Sequence, residues 1–145
     1  MSKRNIIIMI IVAIGFIVSP ACQKEADNYE RGTVKAKQIE AKINLEALAI
    51  AELGYRAMAN RYSASFGEMG FSVSGEDQRY SYFVGQDVLK GARGPDKLPE
   101  SLEPALVTQN SFVAYAIANL DDDPDLDIWT VNQNRQVVHV RDDLL

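Results

Sequence analysis

The sequence predicts an α+β fold, a long N-terminal helix packed on a roughly four-stranded antiparallel sheet. Three observations carry this. The run from Thr33 to about Asn60 has no proline and is rich in Ala, Leu, Glu and Lys, all good helix formers. Four later segments, RYSYFV (79–84), SFVAYAIANL (111–120), IWTV (128–131) and QVVHV (136–140), are β-branched, aromatic or alternating. Glycine, proline, serine and asparagine gather between them, as turns require.

Within the helix, Thr33 can cap the N-terminus. Ile39, Ile43, Ala47, Ile50, Gly54 and Ala57 recur at steps of three and four, which predicts one apolar stripe against the sheet. Leu45 and Leu48 fall on roughly the opposite side, so the helix is apolar on two faces and needs two neighbours. Beyond Asn60 a turn-rich stretch holds the aromatic anchors Tyr62, Phe66 and Phe71. Residues 85–109, with Gly91, Gly94, Pro95, Pro99 and Pro104, read as a long surface loop with one short helical turn over 100–106. The NQNR between the last two segments predicts a hairpin. Trp129, Tyr115 and Phe112 are expected in the core, on the sheet face toward the helix.

A length of 145 residues fits one domain with a modest core, and 47% hydrophobic with 24% charged residues is ordinary for a globular chain. The formal charge is −5; without the first 21 residues, which carry Lys3 and Arg4 and no acid, 13 basic and 20 acidic side chains leave −7. That balance argues against a nucleic-acid partner, which needs a basic patch.

The N-terminus has the layout of an export signal: Lys3 and Arg4, an apolar run from Ile6 to Val18, then the small residue Ala21 before Cys22. Thirteen apolar residues at ~1.5 Å each span roughly 20 Å, short of a ~30 Å hydrocarbon core. A cleaved signal over 1–21 is favoured, with an anchor extended through Cys22 as the alternative. Cys22 is the only cysteine, so an intramolecular disulfide is impossible. The residues VSPAC resemble the lipobox of bacterial lipoproteins, with Ser19 and Pro20 departing from the usual pattern. The resemblance implies lipid on Cys22, and Gln23 after it is compatible with transfer to an outer membrane. Residues 22–32 then form a polar tether and 33–145 the domain.

The segment KAKQIEAKINLEALAIAELGYRAMANRYSASFGEMGF, followed by RYSYFV and FVAYAIANLDDDPDLDIWTV, resembles the globular part of type IV pilin-like and pseudopilin proteins over about residues 33–143. The likeness implies a pilin-like fold. It fails at the N-terminus: the apolar segment lacks the glutamate and the length that pack a pilus core. The fold expectation therefore transfers and the fibre function does not.

Five aspartates stand in NLDDDPDLDIW. Asp121, Asp123, Asp125 and Asp127 alternate, a spacing that lets carboxylates curl around one hard cation, and Ca²⁺ suits such a set better than Mg²⁺. Some pseudopilins bind calcium in a C-terminal loop, which the resemblance adds to this reading. Against it stand the missing turn glycine and the fixed φ of Pro124; a polar turn between strands is the other reading.

His139, the only histidine, is expected half-exposed on the face opposite Val138 and Val140. No G-x-S-x-G, phosphate loop or dinucleotide fingerprint occurs, so an enzyme, or any small-molecule substrate, is not expected. The sequence reads best as an exported, lipid-anchored envelope protein, on the periplasmic side or at the outer membrane, working through protein contacts. Tyr80, Tyr82 and the 85–109 loop are its expected contact surface. The alternatives are a pilin or pseudopilin subunit of a pilus or type II secretion system, retained by its N-terminal helix, and a calcium-dependent binding module.

Overall fold

The computed structural model describes residues 20–73, 77–121 and 123–143. One helix, α1 (Pro20–Ala59), is followed by β1 (Ser81–Val84), β2 (Asp87–Leu89), β3 (Val113–Ala118), β4 (Asp127–Asn132) and β5 (Val137–Arg141). The strands form one antiparallel sheet in the order β2-β1-β3-β4-β5. The α+β layout with a helix on one face of an antiparallel sheet is therefore present. Residues 1–19 of the signal expected over 1–21 lie outside the described residues, as does the side chain of Cys22.

Helix α1 is described from Pro20 onward. The polar segment 22–32 continues it, so Thr33 lies inside the helix and not at its cap. At the other end Asn60 takes φ 56° and donates its N–H to the Arg56 carbonyl at 2.9 Å. That left-handed residue closes the last turn and sends the chain away from the axis. Among the described residues no helix is long and apolar enough to cross a membrane.

The centre of the sheet explains how close the helix lies. Alternation on β3 points Ala114, Ala116 and Ala118 to one face and Val113, Tyr115 and Ile117 to the other. The alanine row joins a core with Ala41, Leu45, Leu48 and Ala49 of α1, flanked by Tyr80, Tyr82, Phe112 and Val131. Small residues on both surfaces let the backbones approach, and large aromatics fill the margins.

The expected stripe is corrected here: Ile39, Ile43 and Ile50 are 55%, 58% and 56% exposed, while Leu45 and Leu48 are fully buried. The buried stripe contains Gln38 and Glu52, and those two polar residues make it look less apolar than the solvent-facing one.

The opposite face of the sheet is also covered. Phe83, Tyr115, Ile117 and Ile128 pack with Ala105, Leu98 and Leu102, so part of the 85–109 segment is a lid over a second core. Tyr115 is thus core, but on the face away from the helix. The same segment holds β2, a fifth strand in place of the four expected. Gly85, at φ 57°, makes the β1–β2 turn against the Ala64 side chain, where a Cβ would sit 2.6 Å away. Residues 100–106 form a turn, with Leu102 N–H on the Pro99 carbonyl at 3.0 Å, and not a helix.

Candidate cation site

The aspartate segment joins β3 to β4, and local hydrogen bonds shape its backbone. The Asp123 N–H donates to Asp121 Oδ1 at 3.2 Å and the Asp125 N–H to Asp123 Oδ1 at 2.7 Å. Asn119 donates its amide to the Asp123 carbonyl. Short polar side chains bonding to the backbone two residues on are what Asx turns are made of.

Beyond this turn the four expected ligands part company. Asp127 is fully buried and faces the helix, where one carboxylate gathers five donors. Its Oδ1 accepts Gln38 Nε2 at 2.9 Å, His139 Nε2 at 2.8 Å and the Asp143 N–H at 3.4 Å. Its Oδ2 accepts the Tyr80 hydroxyl and Trp129 Nε1, both at 2.6 Å. The His139 ring stacks on Trp129 with centroids 3.8 Å apart and planes 9° from parallel. Asp127 is therefore a hub fastening α1, β4, β5 and the segment before β1. Oxygens of Asp127, His139 and Asp142 do lie within 4.8 Å of one another, counting the histidine by its nitrogen. With donors already on both Asp127 oxygens, this group is held together without an ion. Asp125 is exposed and joins neither acidic cluster.

Asp121 and Asp123 instead meet Asp143, which follows β5 near the end of the chain. One carboxylate oxygen from each of the three lies within 4.8 Å of the others. Asp143 is 3% exposed; its Oδ2 accepts the Leu120 N–H at 2.6 Å, and no donor reaches its buried Oδ1 among the described residues. Burial raises the Asp143 carboxyl above the usual range, the Leu120 N–H opposes this, and the charges of Asp121, Asp123 and Asp127 raise it further.

A buried carboxyl with one oxygen bare, grouped with two more carboxylates, fits a hard cation. Ligands on opposite sides of Ca²⁺ sit roughly 5 Å apart, twice the ~2.3 to 2.6 Å bond length. The oxygens here meet that limit. Asp121 and Asp123 of the expected set are thus brought together, Asp125 and Asp127 are not, and Asp143 was missed.

Tyr80 and Tyr82, expected on the contact surface, are each 0% exposed. Tyr80 donates to Asp127, and the Tyr82 hydroxyl accepts from Asn44 Nδ2 at 2.8 Å. Alternation correctly put both on one face of the strand, but that face is the helix side. Burial pushes the Tyr82 hydroxyl well above its usual range.

One more carboxyl is hidden under the helix end. Glu52 is fully buried, its Oε2 accepts the Ser63 N–H at 2.9 Å, and its Oε1 has no partner among the described residues. Burial pushes it up to about 7, against the Ser63 hydrogen bond and the Arg61 charge.

No protein-family model matches the chain, and no curated protein matches it.

Proposed function

We propose that this chain is an exported cell-envelope protein, held to a membrane by lipid on Cys22, whose pilin-like domain acts through protein contacts and not through catalysis. The observation that carries the reading is the outer face of α1. Ile39, Ile43 and Ile50 are each more than half exposed, opposite Ala41, Leu45, Leu48 and Ala49, which are fully buried. Leaving three large side chains of one stripe in water is the mark of a surface kept for a partner. Export and anchoring are supported by the apolar run and VSPAC, and the pilin-like part by NRYSASFGEMGF and NLDDDPDLDIW over a helix-on-sheet frame.

The stripe takes the place of Tyr80 and Tyr82 as the contact surface. The 85–109 segment keeps a share, since it frames a groove of about 390 Å³ lined by Gln86, Asp87, Val88, Lys97 and Leu98.

Photo-crosslinking in cells that produce the full chain tests this, with the probe at Ile43, at Ile50 or, on the far side of the sheet, at Val138. The expected result is a membrane-bound chain beginning at a modified Cys22, with one discrete adduct from each isoleucine site. A chain that keeps residue 1 would favour a subunit held by its N-terminal helix. Adducts from Val138 and none from Ile43 would overturn the contact face.

A second reading, a calcium-dependent module, is favoured by the bare Oδ1 of Asp143 beside Asp121 and Asp123. Calcium binding measured on the full chain in detergent tests it; at extracellular-type affinities the site fills at roughly 10⁻⁴ to 10⁻³ M.

A further inference from the structure

Resting on the calcium-dependent reading, we propose that the cation is a clasp between the 119–127 loop and the segment after β5, and that its binding is coupled to the attachment of α1 at Lys37 and Gln38.

The two halves of the clasp come from distant parts of the chain. Asp121 and Asp123 belong to the β3–β4 connection and Asp143 to the tail. The Leu120 N–H to Asp143 Oδ2 bond, at 2.6 Å, and the Asp143 N–H to Asp127 Oδ1 bond, at 3.4 Å, join them directly, and three carboxylates gather between them. Like charges this close repel, and a divalent ion turns that repulsion into attraction.

The helix is tied to the same two halves by consecutive residues. Lys37 Nζ donates to the Leu120 carbonyl at 3.3 Å, on the loop side. Gln38 Nε2 donates to Asp142 Oδ1 at 2.8 Å, on the tail side, and to Asp127 Oδ1 at 2.9 Å. The Asp143 N–H reaches the same Asp127 oxygen at 3.4 Å. Asp142 and Asp143 therefore carry one contact to the helix and one carboxylate to the cation. A tail released from the loop takes its Gln38 contact with it. The solvent-facing stripe begins at Ile39, the next residue, so the clasp also sets how firmly that end of the contact face is held.

Linkage makes the coupling reciprocal: whatever cation binding adds to helix docking, helix docking adds to cation affinity. Gln38 is not a ligand. Losing it should nevertheless weaken calcium binding by about tenfold, within the usual range of coupling between two linked sites.

The test uses the full chain in detergent with CaCl2 alone as titrant, read by calorimetry and by hydrogen exchange of the amides at 35–42. Wild type, Asp143→Asn, Asp125→Asn and Gln38→Ala are compared; asparagine at 143 can still accept the Leu120 N–H, so the tail stays placed. We expect one calcium bound by wild type with slowed exchange at 35–42. Affinity should fall at least tenfold in Asp143→Asn, about tenfold in Gln38→Ala, and little in Asp125→Asn.

Absence of binding by wild type at 5 mM calcium, about five times the upper end of the expected range, overturns the calcium reading itself. Binding lost in Asp125→Asn but kept in Asp143→Asn overturns the clasp. Binding that needs Asp143 but leaves the 35–42 exchange and the Gln38→Ala affinity unchanged overturns the coupling alone.

Discussion

Gln38 on α1 and Asp127 on β4 meet at 2.9 Å in the interior, an amide donating to a carboxylate that also holds Tyr80, Trp129, His139 and the Asp143 backbone. A charge removed from water is tolerated only where its lone pairs are filled, and here both oxygens are. The bond ties the helix to the sheet at a point where the alanine row supplies little side-chain bulk.

Asp127→Ala leaves the Tyr80, Trp129 and His139 donors without this acceptor and loosens Gln38, so it should lower stability by about 3–5 kcal/mol. Asp127→Asn keeps the shape but turns an NH2 group toward some of those donors, and about 2–3 kcal/mol is expected. Urea unfolding followed by tryptophan fluorescence measures both; a loss under about 0.5 kcal/mol, typical of surface changes, would show that the hub does not hold the fold.

The two faces of α1 should respond oppositely to substitution. Leu45→Ala, at a fully buried position, should cost about 2–5 kcal/mol. Ile43→Asp, at a position 58% exposed, should stay within about 0.5 kcal/mol. Chemical denaturation of the pair decides it, and the reverse ranking would mean that the helix is turned by half a revolution.

Glu52 sets a pH dependence whose sign follows from its raised value. Its carboxyl moves from 4.5 to about 7 in the folded chain, so between those values the folded state binds more protons than the unfolded one. Stability from this group is greatest below about pH 4.5 and is lost as pH rises through about 7. Glu52→Gln keeps an acceptor for the Ser63 N–H and removes the ionisation. The variant should gain up to about 3 kcal/mol over wild type at pH 8 and match it near pH 4.5. Melting both from pH 4.5 to 8 checks this; a constant difference across the range would contradict it.

The strands were legible because their chemistry is local. RYSYFV and SFVAYAIANL contain β1 and β3, IWTV and QVVHV match β4 and β5 to within one residue at each end, and alternation pairs Tyr80 with Tyr82 and opposes His139 to Val138 and Val140. Alternation cannot say which face meets the helix, and so the tyrosines were put in water. The helix was harder still. Its solvent-facing stripe carries three isoleucines, while the buried one includes Gln38 and Glu52, whose burial makes sense only once Asp127 and the Ser63 N–H are in place. The D-x-D-x-D-x-D spacing predicts a local loop as the candidate cation site. Proximity of Asp143 depends on β5 returning beside β4, and the acidic pair Asp142–Asp143 at the end of QVVHVR was the one signal available.

The claim on which the loop, the tail and the helix all depend is that Asp143 takes a cation with Asp121 and Asp123. The most direct measurement is a thermal melt of the full chain in detergent, with millimolar calcium and with chelator, repeated on Asp143→Asn and Asp125→Asn. At about 10 mM calcium, roughly 10 to 100 times a dissociation constant of about 10⁻³ to 10⁻⁴ M, the stabilisation is about 1.4 to 2.7 kcal/mol, a rise of a few degrees for a domain of this size. The rise is expected in wild type and in Asp125→Asn, and its loss in Asp143→Asn. An unchanged wild-type melt, or a rise that survives in Asp143→Asn, would contradict the claim.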